Sequence, residues 1–316
     1  MTKPTIGLVV PFYNEEDNVK ELYLEAKEVF NNLLKSKKIS GYEMVFVNDG
    51  STDKTQERLL EVKKIDSKVT IIELRKNFGQ TPALKAGFEI IESDLIVTMD
   101  GDLQNDPKDI PALMEKMEEG YDVVSGWRFN RKDRFSKRIF SKIMNKLRLF
   151  LIGDELHDYG CSLKIYKREC LKDLELFGEL HRYITAYLYI KGYKIGEVKV
   201  NHRMRKSGKT KYKFNRGING ILDLFYLKFW SSYSNRPLHF FGRLGLFIWL
   251  LAFLMVIEQI IKAILIRQLT LGPVLMLSAV FGITGLLLII FGFLSEIMIR
   301  IYFNNNESIY NIKSKC

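Results

Sequence analysis

Leu95-Ile96-Val97-Thr98-Met99-Asp100-Gly101-Asp102-Leu103-Gln104 decides how this chain is read. A short apolar run, suited to a strand covered on both faces, leads straight into two carboxylates separated by one glycine. Carboxylates at i and i+2, with only Gly101 between them, can reach one divalent cation. Hard oxygen ligands suit Mg²⁺ or Mn²⁺, ions that commonly take substrate phosphate oxygens as well. An isolated Asp-x-Asp is more often a turn. What gives this one weight is the sequence around it.

Working outward, Ile6–Val10, Met44–Val47, Val69–Leu74 and Val123–Gly126 form four more strand-like runs. Helical patterns over Asn18–Leu34, Lys54–Lys64, Thr81–Ile91 and Pro107–Glu119 alternate with them. That alternation predicts an α/β fold with a mostly parallel, doubly wound sheet. Such sheets bind ligands beyond the carboxyl ends of their strands. The residues found there are Pro11-Phe12-Tyr13-Asn14-Glu15-Glu16, Asn48-Asp49-Gly50-Ser51-Thr52-Asp53 and Asp100-Gly101-Asp102-Leu103-Gln104. Carboxylates from three strand ends repel one another in one crevice unless they bind something. Ser51, Thr52 or Asp53 can also cap the helix that follows.

The chain has 316 residues and a net charge of +11, with 47% hydrophobic and 27% charged residues. Disorder is excluded by that balance, and the length suits about two domains. The mean hydropathy of −0.05 averages two unlike parts. Residues 1–236 are charged, whereas 237–303 are overwhelmingly apolar. Cys161, Cys170 and Cys316 lack paired spacing, and His157, His181, His202 and His239 lack metal-ligand spacing. This points to a reducing compartment without a disulfide framework or zinc site.

Leu271–Ser295 runs for 25 residues without a charge, about 37 Å as a helix and long enough to span a bilayer with some tilt. Leu244–Ile266 also reaches spanning length but contains Glu258 and Lys262, four apart and able to pair. With Gly272-Pro273 at the turn, the two form a hairpin that returns both termini to one side. The basic bulk of the chain makes that side the cytoplasm and the protein integral to the cytoplasmic membrane. Arg128–Arg148 holds nine Lys/Arg against one acid, with apolar residues at helical spacing, and Ile218–Phe229 carries a second apolar stripe. Both suit an anionic membrane surface. No nucleic-acid motif accompanies the basic charge. Ser278 and Gly282 form a small-xxx-small pair able to pack helices, so a homo-oligomer is open. The expected division is a catalytic domain over 1–214, an interfacial helix over 215–236, two membrane helices over 237–303 and a tail over 304–316.

The motifs together resemble the family 2 glycosyltransferases of the GT-A fold. Those that carry the likeness are Val10–Glu15, Val47–Asp53, Asn77-Phe78-Gly79 with Ala83 and Gly87, and Met99–Gln104. Within the family, the chain is most similar to the polyprenyl-phosphate glycosyltransferases, the group of dolichol-phosphate mannose synthase and bacterial bactoprenol glucosyltransferase. The resemblance implies that Pro11, Tyr13, Glu15, Asp49 and Asp100 hold the nucleotide sugar, and that Asp100, Asp102 and Gln104 bind the Mg²⁺ or Mn²⁺. It also implies that Asp158, in His157-Asp158-Tyr159-Gly160-Cys161, lies at the reacting centre, either as base or orienting a substrate. Arg205 and Lys211, within Arg205-Lys206-Ser207-Gly208-Lys209-Thr210-Lys211-Tyr212, match a phosphate-contacting pattern in which Thr210 replaces the usual serine. The Gln-x-x-Arg-Trp motif of processive relatives is absent.

Physical chemistry supports part of this independently. Lys199–Arg216 has eight Lys/Arg and no acid, suited to charge-assisted bonds with phosphate, and Arg128 sits after a strand end where it can do similar work. The expected activity is inverting, metal-dependent transfer of a sugar from a nucleotide sugar to polyprenyl phosphate. UDP is favoured over GDP as the carrier, for example in UDP-glucose. The alternative keeps the enzyme class and transfers to a diacylglycerol or glycan hydroxyl. A non-catalytic nucleotide-sugar-binding adaptor is disfavoured by the intact Asp100, Asp102, Gln104 and Asp158.

Overall fold

The computed structural model describes residues 3–129, 149, 153, 156–172, 174, 176, 178, 180–204, 222, 225, 226, 228, 229, 232, 233, 236–266 and 272–304. The chain divides into two compact units, Met1–Phe225 and Tyr226–Cys316.

The first unit begins β1 (Thr5–Phe12), α1 (Val19–Lys35), β2 (Gly41–Asn48), α2 (Thr55–Ile65), β3 (Val69–Glu73), α3 (Gln80–Ile90) and β4 (Leu95–Thr98). A 3₁₀ turn at Pro107–Asp109 leads into α4 (Ile110–Glu118), then β5 (Val123–Trp127), β6 (Lys164–Lys167), α5 (Arg168–Lys172), α6 (Ile184–Ile190) and β7 (Ile195–Lys199). The sheet order is β3-β2-β1-β4-β6-β5-β7. β6 runs antiparallel to both β4 and β5, and the other pairings are parallel. The five expected strands and four expected helices are present with small boundary shifts. β6 and β7 are additions, and Pro107–Asp109 tightens what was expected as the first helical turn.

Burial explains why β1 and β2 read as unbroken apolar runs. Leu8, Val10, Phe12, Met44 and Phe46 enter one core layer with α1, which contributes Leu22, Ala26, Phe30 and Leu33. Val9, Val45 and Val47 face the opposite layer with Ala83 and Leu84 of α3. A parallel sheet covered on both sides has no solvent face on which polar residues can alternate. It therefore concentrates polar groups at the strand ends, where the site lies.

The second unit contains α7 (Pro237–Ile266) and α8 (Pro273–Asn304). Pro237–Leu265 and Pro273–Ile299 are long and apolar enough to cross a membrane, and only 11% of each hydrophobic window is buried by protein. Pro273 opens α8 as expected, with Gly272 accepting the Leu275 N–H at 3.0 Å. Glu258 and Lys262 pair at 2.5 Å, as their spacing predicts. The helices approach through small residues. A Cβ on Gly245 would lie 2.7 Å from the Gly285 carbonyl oxygen, and one on Gly285 would lie 2.8 Å from that of Gly245. Ala252 and Ser278 are buried too. The seam thus runs at seven-residue intervals, Gly245 and Ala252 on α7, and Ser278, Gly285 and Gly292 on α8. A repeat near 3.5 residues per turn keeps such positions on one side of each helix. Of the small pair read from sequence, Ser278 lies in the hairpin seam, and a Cβ on Gly282 would meet nothing within 4 Å.

Candidate active site

The loops after β1 and β2 are laced together before any ligand is considered. Asp49 donates its N–H to the Phe12 carbonyl at 2.8 Å. Asn14, held at φ 55, donates its N–H to Ser51 Oγ and accepts from the Thr52 N–H. Glu15 N–H donates to Thr55 Oγ1 at 2.9 Å, while the Glu15 carboxylate takes Asn18 Nδ2 at 2.6 Å. Asp53, one of the three residues expected to cap α2, does so, although the N-cap position itself is Lys54, which makes no side-chain cap bond. Glu16 accepts the Lys54 N–H and Asp53 accepts the Thr55 N–H, while Ser51 is used by Asn14.

Asp49 is 3% exposed and accepts from Asn77 Nδ2 at 2.9 Å, Phe78 N–H at 2.8 Å and Gly79 N–H at 2.9 Å. Its carboxylate therefore fastens the loop before α3 onto the β2 end. That explains why Asn77-Phe78-Gly79 accompanies the Asp49 motif so far away in sequence. Tyr13 and Pro11 stand beside this clasp, both partly exposed.

Asp100, just past β4, accepts from Gln80 Nε2 at 2.6 Å. Asp102 is 8% exposed, and its Oδ1 accepts the Gln104 N–H at 3.1 Å, closing a turn in which Leu103 has φ 60. Gly101 is required by packing: a Cβ there would lie 2.6 Å from the Phe12 ring and 3.1 Å from the Pro11 carbonyl oxygen. Among the described residues, no cluster of three or more His, Cys, Asp or Glu forms a protein cage for a metal. Two carboxylates on one turn still fit Mg²⁺ or Mn²⁺, because such ions bind through one or two carboxylates plus substrate phosphate. The segment after β7 braces the same turn. Arg203 N–H donates to the Gln104 carbonyl at 2.9 Å, and its guanidinium reaches Asp106 and Glu25, each at 2.7 Å.

Across the sheet, Arg128 follows β5 and meets Asp158. Its Nε lies 2.7 Å and its Nη2 2.9 Å from the two carboxylate oxygens, with its own N–H at 3.2 Å. The side chains are only 11% and 13% exposed. Burial disfavours the Arg128 charge, but the Asp158 bonds outweigh it and hold the guanidinium more firmly protonated than usual. Gly160 donates its N–H to Asp158 Oδ1 at 3.1 Å, and a Cβ at Gly160 would sit 2.9 Å from Arg128 Nη2. Lys164 on β6 is 2% exposed and donates to the Tyr159 carbonyl at 3.3 Å. Burial lowers its pKa, while Asp158 and Asp100 oppose the shift. Cys161 is a buried free thiol whose pKa burial pushes up to about 11, so it is not a nucleophile at neutral pH.

The structure thus gathers Pro11, Tyr13, Glu15, Asp49, Asp100, Asp102, Gln104, Arg128 and Asp158 at the strand ends of one sheet. Arg205 and Lys211 lie outside the described residues, as do residues 130–148 of the basic stretch. Gln80, Lys164 and Glu197 belong to no recognisable local pattern in the sequence, and Arg203 is legible there only as one of the eight cations of Lys199–Arg216.

A mostly parallel sheet with one antiparallel strand inserted, ending in an Asp-x-Asp turn, defines a GT-A-like glycosyltransferase. Residues 8–175 match the family described as Glycosyl transferase family 2, and the chain belongs to that family. It is 39% identical over 312 residues to a dodecaprenyl-phosphate galacturonate synthase of Rhizobium johnstonii, covering 96% of this chain and 90% of that protein. Among solved structures it resembles the glucosyl-3-phosphoglycerate synthase of Mycobacterium tuberculosis in complex with Mn²⁺ and UDP-glucose. The TM-score is 0.53 at 18% identity, over 71% of this chain and 79% of the other. The same enzyme bound to phosphoglyceric acid gives 0.53 at 17% identity, over 72% and 80%. That level of identity speaks to the fold alone.

Proposed function

We propose that this glycosyltransferase moves a sugar from a UDP-sugar to a polyprenyl phosphate, inverting the anomeric centre and releasing UDP. The observation that carries this reading is the extent of the rhizobial match. At 96% of the chain it runs through the apolar hairpin as well as the site, and that relative is named for a prenyl-phosphate acceptor. Asp100 and Asp102, with Gln104 beside them, would hold the Mg²⁺ or Mn²⁺. When bound, that ion supplies positive charge against the leaving diphosphate. Pro11, Tyr13, Glu15 and Asp49 line the nucleoside side.

The acceptor attacks through its phosphate oxygen. A phosphomonoester with a second pKa near 6 is already ionised at neutral pH, so a strong base is not needed. Both oxygens of Asp158 accept bonds from Arg128 and Gly160. A carboxylate held so is a poor proton acceptor, and its part in this proposal is to aim the Arg128 guanidinium at phosphate. Arg205 and Lys211 add cations from the basic segment. The hairpin anchors the enzyme in the cytoplasmic membrane, with both termini and the catalytic unit on the cytoplasmic side and the basic stretches against the lipid surface.

The test uses the full chain in lipid nanodiscs with Mn²⁺ or Mg²⁺, undecaprenyl phosphate and a panel headed by UDP-glucose and UDP-galacturonate. A lipid product heavier by one sugar, seen by mass spectrometry, supports the proposal. Transfer to diacylglycerol with none to polyprenyl phosphate overturns it.

A further inference from the structure

We propose that Glu197 is a positioning residue for sugar transfer: from β7 it fixes the His157-Asp158 turn so that Asp158 meets Arg128 in register. The inference rests on the part assigned above to Asp158 and Arg128. The Glu197 side chain is 11% exposed. Its two oxygens accept the His157 N–H at 3.0 and 3.1 Å, and Oε1 accepts the Asp158 N–H at 2.9 Å. Oε2 also lies 2.8 Å from His157 Nδ1. A carboxylate that takes the N–H groups of two successive residues fixes the peptide plane between them, and with it the direction in which Asp158 leaves the backbone.

The other end of the arrangement is equally determined. Glu197 pairs with Ser125 in the β5–β7 ladder, and Arg128 follows β5 directly, so one ladder carries both the anchor and the guanidinium. The His157 ring stacks on Trp127 with centroids 4.2 Å apart and planes at 15°, closing the turn against the residue before Arg128. The route is therefore β7 carboxylate, turn, Asp158, Arg128. Charge type matters as well as size. A glutamine at 197 has the same shape but only one acceptor oxygen, and its amide NH₂ would face a backbone donor. Aspartate keeps both acceptors on a shorter arm.

The experiment compares E197Q, E197D, D158N and the E197Q/D158N double variant, each as the full chain in nanodiscs. Steady-state kinetics are read for the UDP-sugar and undecaprenyl phosphate, with Tm as the fold control. The expected result is a kcat about tenfold lower in E197Q, with the donor KM within twofold and Tm within a few degrees. E197D should recover part of that loss, and adding E197Q to D158N should change activity by less than twofold. If E197Q keeps wild-type kcat, or if its loss multiplies in full with that of D158N, Glu197 does not act through Asp158. Should D158N fall below detection, the E197Q split decides alone: a kcat defect supports the proposal and a pure donor-KM defect overturns it. Full activity in D158N removes the role of Asp158 itself, and the inference falls with it, distinguishably from the other outcomes.

Discussion

The two sides of the sheet build the site by different routes. On the β1–β2–β4 side, each functional loop follows its own strand directly, and the loops are cross-laced by short bonds such as Asp49 N–H to Phe12 and Asn14 N–H to Ser51. On the β5–β6–β7 side, the parts come from far apart in the chain: Asp158 stands 30 residues from Arg128, and Glu197 stands 39 from Asp158. On the first side most of these bonds run from a main-chain N–H to a side-chain oxygen, as at Ser51, Asn14, Thr55 and Asp49. On the second, Glu197 holds the backbone of the turn and Asp158 then holds the Arg128 side chain, so one substitution misplaces several groups together.

The largest effect should come from Asp102→Asn. It keeps shape but removes an anionic oxygen from the metal turn, and we expect kcat to fall on the order of a hundredfold or more with Tm little changed. EDTA should act on wild type in the same way. Full wild-type activity in EDTA would break the distinction between a metal-holding side and a guanidinium side.

Arg128→Ala comes next and should strike both stability and activity. Removing one partner of a largely buried ion pair leaves Asp158 uncompensated, at a cost of roughly 3 kcal/mol, read as a drop in Tm. We expect kcat/KM to fall about tenfold to a hundredfold, the scale of losing a charge-assisted bond. Arg128→Lys should not restore it, because an ammonium cannot make the two-point contact with Asp158. A variant as active as wild type would show that the phosphate contacts lie elsewhere.

Gly160→Ala sharpens the comparison. The added methyl would sit 2.9 Å from Arg128 Nη2, which its bond to Asp158 and burial hold in place. Only the guanidinium has to shift, so Tm should fall less than in Arg128→Ala while kcat falls several-fold. Gly101→Ala should behave oppositely. Its methyl meets the Phe12 ring at 2.6 Å and must disturb the core, so Tm should fall with activity.

The smallest effect is a pH dependence. Asp122 precedes β5, pairs with Lys167 at 2.7 Å and accepts the Lys194 N–H at 2.9 Å, joining β5, β6 and the start of β7. Burial tends to raise its pKa, but Lys167 and the Lys194 N–H prevail, leaving it below the ordinary 3.8. A depressed folded-state pKa gives stability above the unfolded value that is lost as pH falls through the folded one. Thermal melts below about pH 4 should therefore show Asp122→Asn losing less Tm than wild type. Parallel curves would mean that this junction does not contribute to acid stability.

Much of the fold was legible because both faces of β1 and β2 are buried, and that writes itself as unbroken apolar runs. α1 was legible for the related reason that Val19, Leu22, Tyr23, Ala26, Val29, Phe30 and Leu33 recur at helical spacing. β6 and β7 were missed. Lys164-Ile165-Tyr166-Lys167 and Ile195-Gly196-Glu197-Val198-Lys199 are short, charged and without clean alternation. They become strands because β4 and β5 present open edges to them, a tertiary cause that leaves little local trace.

The site divides along the same line. Sequence by itself determined the Asp100-Gly101-Asp102 turn, the β1 and β2 loops, the basic character of Arg128 and the paired apolar helices, because each rests on neighbours within a few residues. Only the tertiary structure decided that Asp49 clasps the loop before α3, that Arg128 is bound to Asp158, that Glu197 holds the turn between, and that the helices meet at Gly245 and Gly285. Those partners lie 28 to 40 residues apart in the chain. Hydrogen bonds and close packing depend on distance in space, which residue order along the chain does not specify until the sheet has set its strands side by side.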